Sequence, residues 1–177
     1  MPTINLPVQG TGSQQGWSSI VGATTAHEAV DDSATTTHDS DTSYIVIPRL
    51  ALGLGTVSFR FFDMAEHVIP TSITIRTAMK INAGSPEIEV GFCRGGVTAF
   101  SPTTITPGVQ YGVNTTIFAT NPFNASPWQD GDLDGLEPCV SSVFAIIGTA
   151  RLTLLSVGLT YTTDKTWLDA TPPSGPS

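Results

Sequence analysis

Residues 72–94 read SITIRTAMKINAGSPEIEVGFCR, and their spacing decides the fold. Ile73, Ile75, Thr77, Met79 and Ile81 alternate with Thr74, Arg76, Ala78 and Lys80. Successive side chains of a strand point to opposite faces, so this alternation predicts a strand with one buried and one wet face. Asn82–Pro86 is a turn cluster. Ile88, Val90 and Phe92 then alternate against Glu87, Glu89 and Gly91. Strand, turn and strand at this spacing predict a hairpin or meander.

The same signature recurs on both sides. Short apolar or alternating runs occur at Trp17–Val21, Tyr44–Ile47, Val57–Phe62, Val97–Thr106, Val113–Ala119, Ser141–Ile147 and Arg151–Thr162. Thirteen prolines and 17 glycines punctuate them, and Thr, whose branched Cβ suits a pleated surface, occurs 26 times. About nine or ten short strands without a helical period predict an all-β fold, an antiparallel β-sandwich of jelly-roll type. Asp63–Pro70 reads as a helical turn or a loop. Residues 1–16, MPTINLPVQGTGSQQG, have no sustained period and read as an extended N-terminal arm. Within it Ile4, Leu6 and Val8 alternate, so the arm is expected to add to a neighbouring subunit's sheet edge. Residues 17–165 are the sandwich domain, and 166–177 a flexible tail.

Composition excludes some partners. The net charge is −8 and only Lys80 and Lys165 are lysines. Nucleic-acid affinity rests on cations that neutralise phosphates, and binding to an anionic membrane rests on a basic patch, so neither is expected. No secretory signal and no long apolar run is present. Cys93 and Cys139 are far apart in sequence. They can meet across two strands as a disulfide, but free, buried thiols are the better expectation.

The order of features resembles the β-sandwich structural proteins of tailed bacteriophages: minor tail, fibre-associated and head decoration proteins. The resemblance runs over residues 17–162. It comprises an early Trp17, an acidic loop entering a strand at Asp39–Ile45, the aromatic-rich Phe59–Asp63, Ile73–Ala78, an Asn121–Glu137 segment and the closing strand Ala150–Tyr161. It implies a non-enzymatic virion protein, a capsid decoration or tail component. Such a protein would be assembled in the host cytoplasm and act through homo-oligomeric and other virion contacts. It transfers no active-site residue.

Three further features bear on chemistry. Asp130, Asp132 and Asp134, with Gly135, match the opening of an EF-hand calcium loop, where alternate carboxylates converge on one ion. The match then fails, because Ser141 stands where the bidentate Glu belongs. A solvated acidic turn explains the same residues, and calcium is the alternative. The acidic residues of 28–41 and 130–137 would form one patch only if the fold brought the two loops together. Among Trp17, Trp128 and Trp167, Trp128 with its polar neighbours Gln129 and Asp130 is the best glycan contact. This supports an alternative function, a carbohydrate-binding module for host attachment. The competing reading seals the core with Trp128 and bonds its indole N–H to a backbone carbonyl. His27, His38 and His67 lack metal-ligand spacing, and no nucleophile elbow occurs, so no catalytic residue is expected. Asn114 and Asn124 match glycosylation acceptors by chance spacing.

Overall fold

The computed structural model describes residues 1–30, 42–48, 55–61, 69–143 and 148–161. These residues form β1 (Thr3–Gln15), β2 (Ser19–Val21), β3 (Tyr44–Ile47), β4 (Thr56–Phe61) and β5 (Pro70–Gly84). They continue with β6 (Ile88–Arg94), β7 (Val97–Phe100), β8 (Gly112–Phe118), β9 (Glu137–Ser142) and β10 (Gly148–Tyr161). All pairings are antiparallel, and the described residues contain no helix. The fold is the expected jelly-roll type of β-sandwich. Sheet I runs β2-β3-β10-β5-β8, and sheet II runs β4-β9-β6-β7.

β1 belongs to both sheets. Thr3–Pro7 pairs with β10 in sheet I, and Val8–Gln15 pairs with β4 in sheet II. The N-terminal segment expected as an arm is therefore a strand of the chain's own sandwich. Leu6 and Val8 are buried in the core, and Ile4 packs against it. Their apolar surface is thus consumed within the chain, which corrects their expected role as contacts to a neighbouring subunit. The second half of β1 lacks an apolar alternation because its demand is for closeness rather than bulk. A Cβ at Gly12 would lie 2.3 Å from Ser58 Oγ and 2.6 Å from Glu137 Oε2.

The expected hairpin at 72–94 is also corrected. β5 pairs with β10 and β8, whereas β6 pairs with β9 and β7. The turn between them carries the chain from one sheet to the other. Ile73, Ile75, Thr77 and Met79 face the core as the alternation predicts, while Ala78 of the expected wet face is also buried and Ile81 only partly so; the two apolar faces oppose each other across the core instead of lying side by side. Ile73, Ile75 and Met79 of β5, with Leu152, Leu155, Val157 and Leu159 of β10, form one wall. Val57 and Phe59 of β4, with Ile88, Val90 and Phe92 of β6, form the other. The true hairpin is β6–β7, where Gly95 and Gly96 take φ of 57° and 83°, the left-handed values that a two-residue turn demands.

Next to β10, the edge between β3 and β1 is filled by residues 22–30. Leu155 N–H donates to Val30 O at 3.0 Å, and Ala26, Ala29 and Val30 are buried. Thr25 and Glu28 organise this turn as half of a capping box: Glu28 Oε2 accepts the Thr25 N–H at 2.9 Å and the Thr24 N–H at 3.1 Å. The hydrogen bonds from Thr25, chiefly, hold the Glu28 carboxyl below its ordinary pKa.

A buried hydroxyl interrupts the apolar wall of β5. Thr77 is 1% exposed on the inward face of β5, and its hydroxyl has no hydrogen-bond partner. An unsatisfied buried hydroxyl costs about 1–3 kcal/mol. Thr77→Val keeps the shape and removes the orphan, so it is expected to raise stability by about 1 kcal/mol in urea unfolding. A lowered midpoint would mean the hydroxyl is satisfied in solution.

Candidate functional site

The loop after β8 turns Trp128 inward. Asn121, 1% exposed, organises it: Asn121 Oδ1 accepts the Phe123 N–H at 3.0 Å, and Asn121 O accepts the Ala125 N–H at 2.8 Å. Trp128 is 3% exposed, and its indole N–H donates to Phe118 O at 3.0 Å. Phe92 makes edge-on contacts with Phe118 at 4.9 Å and with Trp128 at 6.1 Å. Trp128 is therefore a core residue with a satisfied polar edge. The reading that seals the core with Trp128 and bonds its indole to a backbone carbonyl holds, and the alternative glycan contact is corrected, because no ring face is left for a sugar. Trp17 packs against the core, and Trp167 lies outside the described residues.

The acidic loop is a chain of turns. Asp132 Oδ2 accepts the Gln129 N–H at 2.8 Å, and Asp132, Asp134 and Leu136 N–H groups bond back to Gln129, Gly131 and Leu133. Gly131 and Gly135 take φ of 78° and 62°, which explains the glycines that mimicked a calcium loop. Asp132 also pairs with Arg94 at 3.8 Å, and Arg94 bonds its carbonyl oxygen. The Arg94 guanidinium stacks over Phe123 at 5.4 Å. Asp130, Asp132 and Asp134 do not converge: among the described residues no group of three His, Cys, Asp or Glu forms a metal set. Of the second acidic cluster only Glu28 is described. Its Glu28 is spent on the cap, and residues 31–41 lie outside the described residues. His27 bonds Thr25 through Nδ1 at 3.0 Å, while His38 and His67 fall outside the described residues.

A polar cluster lies on the outer face of sheet II, beneath the irregular stretch of β1. Glu137 Oε2 accepts three hydrogen bonds, from Ser13 N–H at 2.8 Å, Ser13 O–H at 2.7 Å and Ser58 O–H at 2.6 Å. Burial pushes the Glu137 carboxyl up, but these bonds and the charge of Arg60 outweigh it and hold the pKa below the ordinary value. Cys93 and Cys139 sit in the same cluster. Both are free and buried, as expected. Cys139 is opposite Gly91 and Cys93 opposite Glu137, so the thiols are diagonal neighbours. Burial, chiefly, raises the Cys139 thiol well above its ordinary pKa, with Cys93, Glu137 and Glu89 adding to it. A protonated, enclosed thiol is not a nucleophile. The cluster fastens β1 to sheet II rather than performing chemistry.

Open surface of a different kind lies along β8. Among the described residues β8 pairs only with β5, so it is the edge strand of sheet I there. Two contiguous depressions, of about 260 Å³ and about 290 Å³, run beside it and share Ser101 and Ile117. Phe100, Pro102, Phe118 and Thr120 help line the first, and Thr103, Ile105, Asn114, Thr115 and Thr116 the second. No charged side chain lines either among the described residues. Hydroxyls, an amide and the unpaired edge of the strand face the groove together with small apolar surfaces. Val113 and Ile117 are 51% and 66% exposed on the same strand. Sequence reasoning missed this site because it is made by the meeting of the 100–105 segment with β8. The Thr and Ser residues of 101–120 were the only signal available.

No protein-family model and no curated protein matches this sequence. Solved structures are similar in overall build. One is the CBM22-1 xylan-binding domain of Xyn10C from Paenibacillus barcinonensis, at 14% identity and a TM-score of 0.47, covering 90% of this chain and 94% of that one. Another is BiXyn10A CBM1 in its apo form, at 13% identity and a TM-score of 0.41, covering 91% and 97%. A third is the Stig cyclase Fisc from Fischerella sp. TAU, at 12% identity and a TM-score of 0.44, covering 91% and 77%. At such identities and scores the likeness assigns no residue a role.

Proposed function

We propose that this chain is a non-catalytic carbohydrate-binding β-sandwich whose glycan lies in the groove along β8. The observation that carries the reading is the lining of that groove. A sugar presents hydroxyls around its rim and C–H surface on its faces. Ser101, Thr103, Asn114 and Thr116 supply donors and acceptors, and Phe100 and Ile117 supply apolar contact. Binding sites of this type combine apolar walls with a few placed polar groups. Among the described residues that line it, the groove has no carboxylate.

Ile117 is the residue to test, because it belongs to both depressions and is largely exposed, so substitution spares the core. Ile117→Asp is expected to weaken polysaccharide binding by about 10-fold or more, close to 1.4 kcal/mol, with the melting temperature unchanged. Titration calorimetry measures this. Equal affinities of the variant and the parent would place binding elsewhere.

A second reading, a structural subunit of a tailed-phage virion, draws on the same strand. Among the described residues β8 offers an unpaired edge with exposed Val113 and Ile117, a surface on which a neighbouring chain can add. Light scattering separates the two readings. Self-association that Ile117→Asp abolishes favours the subunit, and a monomer that binds glycan favours the module.

A further inference from the structure

Given the carbohydrate reading, on which this rests, we infer that the glycan is a neutral one, without uronate, sulfate or phosphate groups. An acidic glycan brings a charge every one or two rings. Each charge placed in a groove loses water and needs a cation or several donors in return. Among the described residues the groove provides no cation. Every described residue lining either depression is uncharged.

The nearest basic side chains in the register are already engaged. Arg76 stands across from Thr115 on β5 and has an interaction of its own. Lys80, further along β5, lies over the Tyr111 ring at 4.8 Å. Beyond the groove, the chain carries 15 acidic against 7 basic residues, a net charge of −8. This field repels an anionic polymer at any distance within the screening length, about 10 Å at 0.1 M salt. Uncharged hydroxyls and main-chain groups have the opposite fitness. They exchange hydrogen bonds with sugar hydroxyls without a desolvated charge, and such contacts are almost insensitive to salt.

The test is titration calorimetry of the full chain at 50 mM and 500 mM sodium chloride. The probes are a neutral β-glucan, a neutral galactomannan, polygalacturonate and a sulfated glucan. Neutral-polymer binding whose Kd changes less than about two-fold between the salts, with acidic polymers silent, is the expected result. Binding of polygalacturonate or the sulfated glucan, weakened 10-fold or more by salt, overturns the inference and leaves the carbohydrate reading standing. Absence of binding to all four overturns the carbohydrate reading and the inference with it.

Discussion

Trp128→Ala lowers the unfolding free energy by about 3–5 kcal/mol, the cost of emptying a large aromatic site in a packed core. The indole is 3% exposed and meets Phe92 edge-on, so its removal leaves a cavity between the sheets. It also orphans the Phe118 carbonyl, which the indole N–H bonds at 3.0 Å. Trp128→Phe keeps most of the packing and loses that bond, and is expected to cost about 1–3 kcal/mol. Urea unfolding of the two variants separates the contributions. A cost below about 1 kcal/mol for Trp128→Ala would mean that the ring is not part of the core. The functional consequence is indirect. Phe118 ends β8 and lines the groove, so Trp128 fixes the end of the strand from below. Loss of glycan binding in Trp128→Ala would therefore report a damaged fold, whereas Ile117→Asp reports the groove.

Glu137→Ala is expected to cost about 2–3 kcal/mol, because hydrogen bonds to a charged group contribute about 1.5–3 kcal/mol each and these share one oxygen and a partly exposed site. Ser58, fully buried, loses its acceptor, and Ser13 is released from sheet II. The pH dependence has a definite sign. The folded Glu137 pKa is depressed, so its stabilisation is fully present above the unfolded glutamate value, about 4.3, and is lost as pH falls through the lower folded value. Glu89 acts in the opposite sense, since burial raises its carboxyl and protonation favours the folded form. Glu137→Gln keeps an acceptor and removes the charge, so its stability should fall less than the parent's between pH 5 and pH 3, to be read from urea midpoints. Parallel pH profiles for parent and Glu137→Gln would remove Glu137 as the source.

Several elements were legible from residues alone. The alternation of 72–81 located β5 because Ile73, Ile75, Thr77 and Met79 are buried while Thr74, Arg76 and Lys80 are only partly so. Tyr44–Ile47 was read to the residue because Pro48 closes a continuous apolar run. β1 was not read as a strand, since Pro7, Gly10, Gly12 and the glutamines dilute the pattern. Its first half follows an alternation and its second half follows the need of Gly12 to approach Ser58 and Glu137. Thr25 and Glu28 carried a capping-box spacing that went unused because the surrounding composition reads as a loop.

The candidate site was less legible than the fold. Asp-Gly steps at 130–135 look alike in a calcium loop and in successive turns, and the difference lies in where the carboxylates point. The Gln129 N–H and Arg94 claim Asp132 in the folded chain. Trp128 in a polar neighbourhood reads first as a core plug and second as a sugar platform, and its burial and its bond to Phe118 O decide for the plug.

By itself, the sequence determined the class of this protein. Period-two alternation, β-branched residues and turn residues act within a few positions, so an antiparallel sandwich follows from local chemistry. The tertiary structure decided which strands are neighbours, because sheet pairing depends on residues far apart in the chain. It placed β5 and β6 in opposite sheets, made β1 a strand of both, and turned Trp128 from a candidate contact into a core residue. It also made the groove, whose walls come from β8 and from the segment after β7. The uncharged lining of that groove becomes a shared property of those residues only once the two edges stand side by side.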